Sequence, residues 1–295
     1  MRLLITGWHG QIARAFIDAA PARNDLTACA LGRPALDICE IRTIERALGD
    51  VNPSAVINTA GYTAVDQAED EPDRAHALNR DGARLIAEAA ARRGVPIIHL
   101  SSDYVFDGTK SAPYVETDTP APASVYGHSK LAGEAAVRDA NPRHVILRTS
   151  WVYSPFGRNF VRTMRERAAD GAALRVVNDQ FGSPTYAPHL VDAIFSIASR
   201  VSSESSDTSP IWGTYHAAGS GVASWHDLAA ATLASPPQIA DTSLTGIGTA
   251  DYPTRARRPQ YSVLDCGKLE HAFGLRLPDW REGVAECVER LSTSA

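Results

Sequence analysis

Tyr126 and Lys130 stand four residues apart in the stretch Ser124-Val125-Tyr126-Gly127-His128-Ser129-Lys130. The flanking residues predict a helix over 124–141, which puts both side chains on one face. A phenol is a poor acid and a poor base near neutrality, with a free pKa of about 10. An ammonium beside it favours the phenolate and lowers that pKa. Such a pair can pass a proton to or from a sugar or alcohol oxygen. A further hydroxyl, that of Ser102, follows the apolar run Pro96-Ile97-Ile98-His99-Leu100.

These groups act together only if the fold carries them to one place. Leu3-Leu4-Ile5 reads as a strand buried on both faces. It feeds Gly7-Trp8-His9-Gly10-Gln11-Ile12-Ala13 and then a helical pattern to about residue 19. A glycine-rich turn between strand and helix is a phosphate site, because glycine lets the backbone approach and the helix start offers unpaired N–H groups. Ala13 takes the third position of the dinucleotide fingerprint, where a methyl group fits. A second strand over 26–31 ends in Gly32-Arg33, where an NAD-selective site places an acid. Leu36-Asp37-Ile38 and a helix near 41–48 follow. A third strand over 55–58 ends in Thr59-Ala60-Gly61-Tyr62, small enough to admit a ligand. Residues 73–92 read as one long helix with an apolar stripe through Ala77, Leu78, Leu85, Ile86 and Ala89. Residues 96–100 and 145–149 read as two more strands.

Strands alternating with helices predict an α/β fold, a Rossmann-type doubly wound parallel sheet. Residues 1–150 read as an NAD(P)-binding domain that also receives the segment near 174–200. Residues 151–295 read mainly as a smaller substrate-binding lobe, with helices over 160–169, 189–199, 225–233 and 281–291, a strand over 174–177 and a serine-rich surface loop over 202–210. Ligands of an open α/β sheet sit outside the carboxyl ends of its strands. The turn at Gly7–Gly10, the segment 59–62 and Ser101-Ser102-Asp103 fall on that edge, and Tyr126 and Lys130 reach it. Hydroxyl, phenol and ammonium beside a dinucleotide turn form a hydride-transfer constellation.

Composition narrows the field. The 295 residues are 44% hydrophobic and 21% charged, ordinary for a globular protein. A net charge of −5 and the absence of a basic run argue against nucleic acid as partner. No apolar stretch reaches membrane-spanning length, and the first strand starts at once, leaving no room for a signal peptide. Cys29, Cys39, Cys266 and Cys287 form neither a CxxC pair nor a zinc spacing. Reduced thiols and a cytoplasmic location are the expectation.

Several longer motifs occur in order. They are Gly7-x-x-Gly10-Gln11, Asn58-Thr59-Ala60-Gly61-Tyr62-Thr63-Ala64-Val65-Asp66, Ser101-Ser102-Asp103-Tyr104-Val105-Phe106-Asp107-Gly108, Tyr126-x-x-x-Lys130, Arg148-Thr149-Ser150-Trp151, Asp179-Gln180-x-Gly182-x-Pro184-Thr185 and Arg257-Arg258-Pro259. Together they resemble the dTDP-4-dehydrorhamnose reductase family, extended short-chain dehydrogenases/reductases, over nearly the whole chain. The resemblance implies Ser102, Tyr126 and Lys130 as catalytic triad. It implies that Gly7, Gly10, Gln11, Ile12, Asp37, Ile38, Ala60, Gly61 and Tyr62 line the cofactor together with Tyr126 and Lys130. Asp103, Trp151, Arg257 and Arg258 would touch a nucleotide sugar, beside Ser102. Arg33 points to NADPH as cofactor, with NADH as the alternative, because a guanidinium can pair with a 2′-phosphate. Family members that dimerise through magnesium use carboxylates, one just after the glycine turn. Ala13-Arg14-Ala15-Phe16 supplies none, so no metal is expected, and the chain reads as a monomer or homodimer. The implied activity is reduction of the C4 ketone of dTDP-4-dehydro-β-L-rhamnose to dTDP-β-L-rhamnose. A dehydratase of this fold needs Asp-Glu after the hydroxyl, and the chain has Asp103-Tyr104. A reductase of another 4-keto nucleotide sugar and a non-catalytic regulatory subunit that keeps the cofactor fold remain open.

Overall fold

Leu3, Leu4 and Ile5 have no exposed surface. The strand that carries them, β1 (Arg2–Thr6), must therefore be covered on both faces. The computed structural model, which describes residues 1–237, 239 and 242–293, shows how the chain does this. It supplies neighbours and covers in alternation: α1 (Gln11–Ala19), β2 (Thr27–Leu31), α2 (Ile41–Val51), β3 (Ala55–Asn58), the short α3 (Val65–Ala68) and α4 (Pro72–His76), α5 (Ala83–Ala91), β4 (Ile97–Ser102), α6 (Val125–Ala140) and β5 (His144–Thr149). The second half adds β6 (Val152–Tyr153), α7 (Phe160–Ala169), β7 (Leu174–Val177), β8 (Phe181–Gly182), β9 (Thr185–Tyr186), α8 (Ala187–Ser203), β10 (Gly213–His216), β11 (Ala223–Ser224), α9 (Trp225–Ala234), β12 (Leu244–Ile247), α10 (Gly267–Phe273) and α11 (Trp280–Thr293).

Six strands form one sheet in the order β10-β5-β4-β3-β1-β2, and every neighbouring pair is parallel. Leu3 and Ile5 join the core built with Phe16 of α1 and Leu190, Ile194 and Phe195 of α8. Leu4 points the other way, into a core with Ile44 of α2, Ile86 of α5 and Val137 of α6. Each such side chain contributes about 1.5–3 kcal/mol by leaving water. The order of winding reverses between β1 and β3, which opens a crevice at their carboxyl ends.

Three features differ from the sequence reading. The helix expected over 73–92 is interrupted by a π-helical stretch, Ala77–Gly82, whose wider turn carries buried Asn79. Asn79 Nδ2 donates to Tyr62 O at 3.1 Å and to Ser129 Oγ at 2.9 Å, while its Oδ1 accepts from Tyr62 N at 2.8 Å. Within the segment near 174–200, α8 packs on α1, but β7 pairs with β12 in a separate ribbon. The strand at the sheet's end is instead β10, paired with β5. Its sequence, Gly213-Thr214-Tyr215-His216, lacks an apolar run that would announce it.

The remaining strand pairs, with α7, α9 and α11, build the second lobe around Tyr153, Tyr186, Leu228, Trp280 and Val284. Among the described residues no helix is long and apolar enough to cross a membrane.

A buried ion pair joins β4, β5 and α6. Arg148 donates to Glu134 twice, Nε to Oε1 at 2.9 Å and Nη2 to Oε2 at 2.7 Å, and Ser101 Oγ donates to Oε1 at 2.5 Å. Removing one partner of such a pair strands the other charge in the interior, at a cost of about 3–5 kcal/mol. Glu134→Ala is therefore expected to lower unfolding stability by that amount in urea titration. A loss below 1 kcal/mol would mean that Arg148 finds water or another acceptor.

Candidate active site

The crevice between β1 and β3 is drawn tight by Thr6. Its Oγ1 accepts from Ala60 N at 3.1 Å, and its carbonyl accepts from Thr59 Oγ1 at 2.6 Å. Gly7 leaves β1 with φ +82°, a conformation that favours glycine, and its N–H donates to Leu31 O at 2.7 Å. A Cβ on Gly7 would lie 3.6 Å from both Ala60 Cα and Thr59 Oγ1, so the turn and the end of β3 line one crevice. Gly10 caps α1 without any side-chain hydrogen bond, leaving the helix start free for an anion. Ala13 is buried in the core below. These features fit a dinucleotide: a glycine turn, an uncapped helix N-terminus and small residues at Ala60 and Gly61 on one sheet edge.

Other residues of the cofactor set have further partners. Gln11 turns toward the second lobe, donating from Nε2 to Val152 O at 3.2 Å and accepting from Ser154 Oγ at 2.8 Å. Ile12 packs against the core shared by α1 and α8. Ile38 is buried against Gly82, and Asp37 Oδ1 accepts from Cys39 N at 3.0 Å. Tyr62 donates from its hydroxyl to Glu71 at 2.9 Å. Arg33 is exposed at the end of β2.

Ser102 is the last residue of β4, and Tyr126 and Lys130 lie in the first turns of α6. Ser124 starts that helix, its hydroxyl accepting from Gly127 N at 3.1 Å. All three expected catalytic side chains are buried. Ser102 Oγ donates to Asp103 Oδ1 at 3.0 Å and accepts from Tyr104 N at 3.2 Å. Asp103, expected against a sugar, is 2% exposed. Its Oδ2 accepts from Ser150 Oγ at 3.0 Å, so it braces Ser102. Burial pushes the Asp103 carboxyl up to about 6 against the nearby hydroxyls of Ser262, Ser102 and Ser150.

The electrostatics of Tyr126 differ from the spacing argument. Burial raises its pKa, the Ser102 hydroxyl opposes the rise, and the charges of Asp103 and Tyr104 add to it. Lys130 is turned away to Leu100 O, 2.5 Å from Nζ. Burial lowers Lys130 to about 8, with Glu134 opposing. Tyr126 is thus held as a neutral phenol, a donor rather than a phenolate. Beside Lys130 lies His99, well below its ordinary range through burial and the Lys130 charge. Asn58 Nδ2 and His99 Nδ1 are 2.9 Å apart, and Asn58 Oδ1 accepts from Thr6 Oγ1 at 2.6 Å.

A cleft of about 320 Å³ opens between α7, β7 and the segment around residue 254. Four guanidinium groups line it, Arg158, Arg167, Arg175 and Arg258, with Gln180, Trp225 and Tyr252. Arg258 pairs with Asp66 at 2.9 Å and hydrogen-bonds Tyr104, whereas Arg257 is exposed. Trp151 has φ +46° and stacks on Trp225, ring centroids 3.6 Å apart and planes 6° apart. It lies over Gly182, where a Cβ would meet the indole at 2.5 Å. Sequence reasoning missed Arg158, Arg167, Arg175 and Trp225. They lie on separate elements, and only the packing of α7, β7 and α9 brings them together.

Comparison with known proteins identifies the family. The family model described as RmlD substrate binding domain matches residues 1–293. A dTDP-4-dehydrorhamnose reductase of Sinorhizobium fredii is 49% identical over 290 residues, covering 98% of this chain and 97% of that protein. The crystal structure of a dTDP-4-dehydrorhamnose reductase from Clostridium acetobutylicum superposes with a TM-score of 0.91 at 34% identity, covering 99% of this chain and 100% of that one. That of Bacillus anthracis, solved in complex with NADP, gives a TM-score of 0.89 at 32% identity, covering 100% and 99%. The chain belongs to the dTDP-4-dehydrorhamnose reductase family.

Proposed function

We propose that this protein reduces the C4 ketone of dTDP-4-dehydro-β-L-rhamnose to dTDP-β-L-rhamnose, with NADPH as preferred cofactor. The observation that carries the reading is a buried neutral Tyr126, braced by Ser102 and packed on Tyr104, which hydrogen-bonds Arg258 of an arginine-lined cleft. When bound, the dinucleotide supplies the hydride for C4. Gly7, Gly10, Gln11, Ile12, Arg33, Asp37, Ile38, Ala60, Gly61 and Tyr62 would hold it, and Lys130 would hold its nicotinamide ribose.

Tyr126 holds the proton that ends on the C4 oxygen, and Ser102 orients the phenol. Asp103 keeps Ser102 in place. Trp151 faces the sugar, and Arg257 and Arg258, with the guanidinium groups of the cleft, take the diphosphate, whose oxygens suit their planar forks. The enzyme acts in the cytoplasm on a small nucleotide sugar, as a monomer or homodimer. Turnover of dTDP-4-dehydrorhamnose with NADPH is the direct test. A folded protein that binds both ligands without turnover would favour the regulatory-subunit reading.

Three outcomes are expected. Tyr126→Phe should keep NADPH binding and the melting temperature while reducing kcat about 10²-fold or more. Near-normal turnover would remove Tyr126 from the chemistry. Lys130 works as an ammonium, the form present below its lowered value and lost above it. The basic limb of kcat/KM, which reports free-enzyme groups, should therefore lie near pH 8. It should move out of range in Lys130→Arg, and a limb that stays would belong to another group. At the end of β2, pairing of Arg33 with a 2′-phosphate contributes about 1.5–3 kcal/mol. The native enzyme should then favour NADPH over NADH by about tenfold in kcat/KM, and Arg33→Ala should remove most of that preference. An unchanged ratio would show that Arg33 points into solvent.

A further inference from the structure

Trp8 sits between the two glycines of the β1–α1 turn, yet its indole is 48% exposed. Its place is set by Gly32. A Cβ on Gly32 would lie 2.5 Å from Trp8 Cδ1 and 3.2 Å from Nε1. The pyrrole edge of the indole therefore rests on the backbone at the end of β2, and any side chain at 32 would push it off. His9 flanks the ring, centroids 4.5 Å apart.

Two donors belong to this stretch, the Trp8 indole against Gly32 and the guanidinium of the next residue, Arg33. Among the described residues no hydrogen bond uses Trp8 Nε1, and Arg33 forms no ion pair. An indole nitrogen can only donate, and a guanidinium has no acceptor. A site for unmodified ribose hydroxyls needs an acceptor at this point, the acid that dinucleotide folds place there. The nearest acid, Asp37, already accepts from Cys39 N with one carboxylate oxygen. At the end of β2 the groups of Trp8 and Arg33 are both donors, which matches a phosphate monoester on the 2′ position better than a hydroxyl pair. A half-exposed aromatic face can also cover a purine, since base–aromatic stacking is worth about 1–3 kcal/mol.

We propose that Trp8 is a second specificity-determining residue for the cofactor, its indole N–H donating to the 2′-phosphate of NADPH beside Arg33. The inference rests on the NADPH reading above and deepens it. Gly32 serves it by leaving room for the ring.

The test is equilibrium binding of NADPH and NADH, measured by calorimetry on the full-length protein without sugar nucleotide. Trp8→Phe keeps a ring and loses the N–H. It should weaken NADPH about tenfold, the scale of one hydrogen bond to a charged group, and leave NADH within twofold. Trp8→Ala should weaken both cofactors, because the face is lost as well. The side chain is half exposed in a turn, so both variants should melt with the native protein. A Trp8→Phe protein whose NADPH-to-NADH affinity ratio equals the native one overturns the proposal, whatever Trp8→Ala does. Failure of the underlying reading looks different, because the native protein would then bind neither cofactor or prefer NADH.

Discussion

Burying three charges under one sheet edge is the constraint from which most of the site follows. Lys130, Glu134 and Arg148 all lie out of water, and desolvation costs several kcal/mol per ion unless each finds partners. Glu134 meets this with Arg148 and Ser101, and the Arg148 guanidinium lies 5.1 Å over the Phe106 ring. Among the described residues Lys130 has only the Leu100 carbonyl as a direct acceptor, with Glu134 one turn further along α6. His99 is held neutral first by its own burial and then by the Lys130 charge. That neutrality reaches the opposite side of the crevice, because the Thr6–Asn58–His99 chain crosses β1, β3 and β4 at residues in parallel register. Burial, with the Lys130 charge beside it, thus sets the proton state of a polar chain that spans the ends of three strands.

Such a network requires α6 to lie unusually close to its neighbours. A Cβ on Gly127 would be 2.2 Å from Tyr104 O, and one on Gly133 would be 2.1 Å from Asn79 O. Gly127 lies within the Tyr126–Lys130 turn and Gly133 just beyond it, and both contacts are with backbone, which cannot swing aside. The π-helical stretch belongs to the same fit. It brings Asn79 against α6, where the side chain clasps both backbone polar groups of Tyr62 and the hydroxyl of Ser129, which itself donates to Tyr126 O at 2.8 Å.

The parallel sheet was legible because strands such as Leu3-Leu4-Ile5 and Ala55-Val56-Ile57 are short apolar runs between turn signals. The α6 start was legible because Ser124 is a good cap. β10 was hidden because it is short and polar. The π stretch was hidden because one extra residue in a turn leaves hydrophobic periodicity almost unchanged. Asp103 stands in the specific motif, but its hydrogen bonds to Ser102 and Ser150 depend on β4 and β5 ending side by side, which no local pattern records. The arginine-lined cleft was invisible for the same reason: Arg158, Arg167 and Arg175 are scattered over residues 158–175 of unremarkable sequence.

The two halves of the chain are joined in two physically different ways. Below the crevice the join is apolar: α8 packs on α1, and β10 extends the central sheet. At the mouth the join is polar and narrow, with Gln11 reaching Val152 and Ser154 on one side and Asp66 holding Ala256 N and Arg258 on the other. Apolar packing at interior density resists displacement, whereas a few polar contacts near solvent exchange with water at little cost. Ser102, Tyr126 and Lys130 stay fixed to the base, because their supports, Asp103, Asn79 and Leu100 O, all belong to the first half.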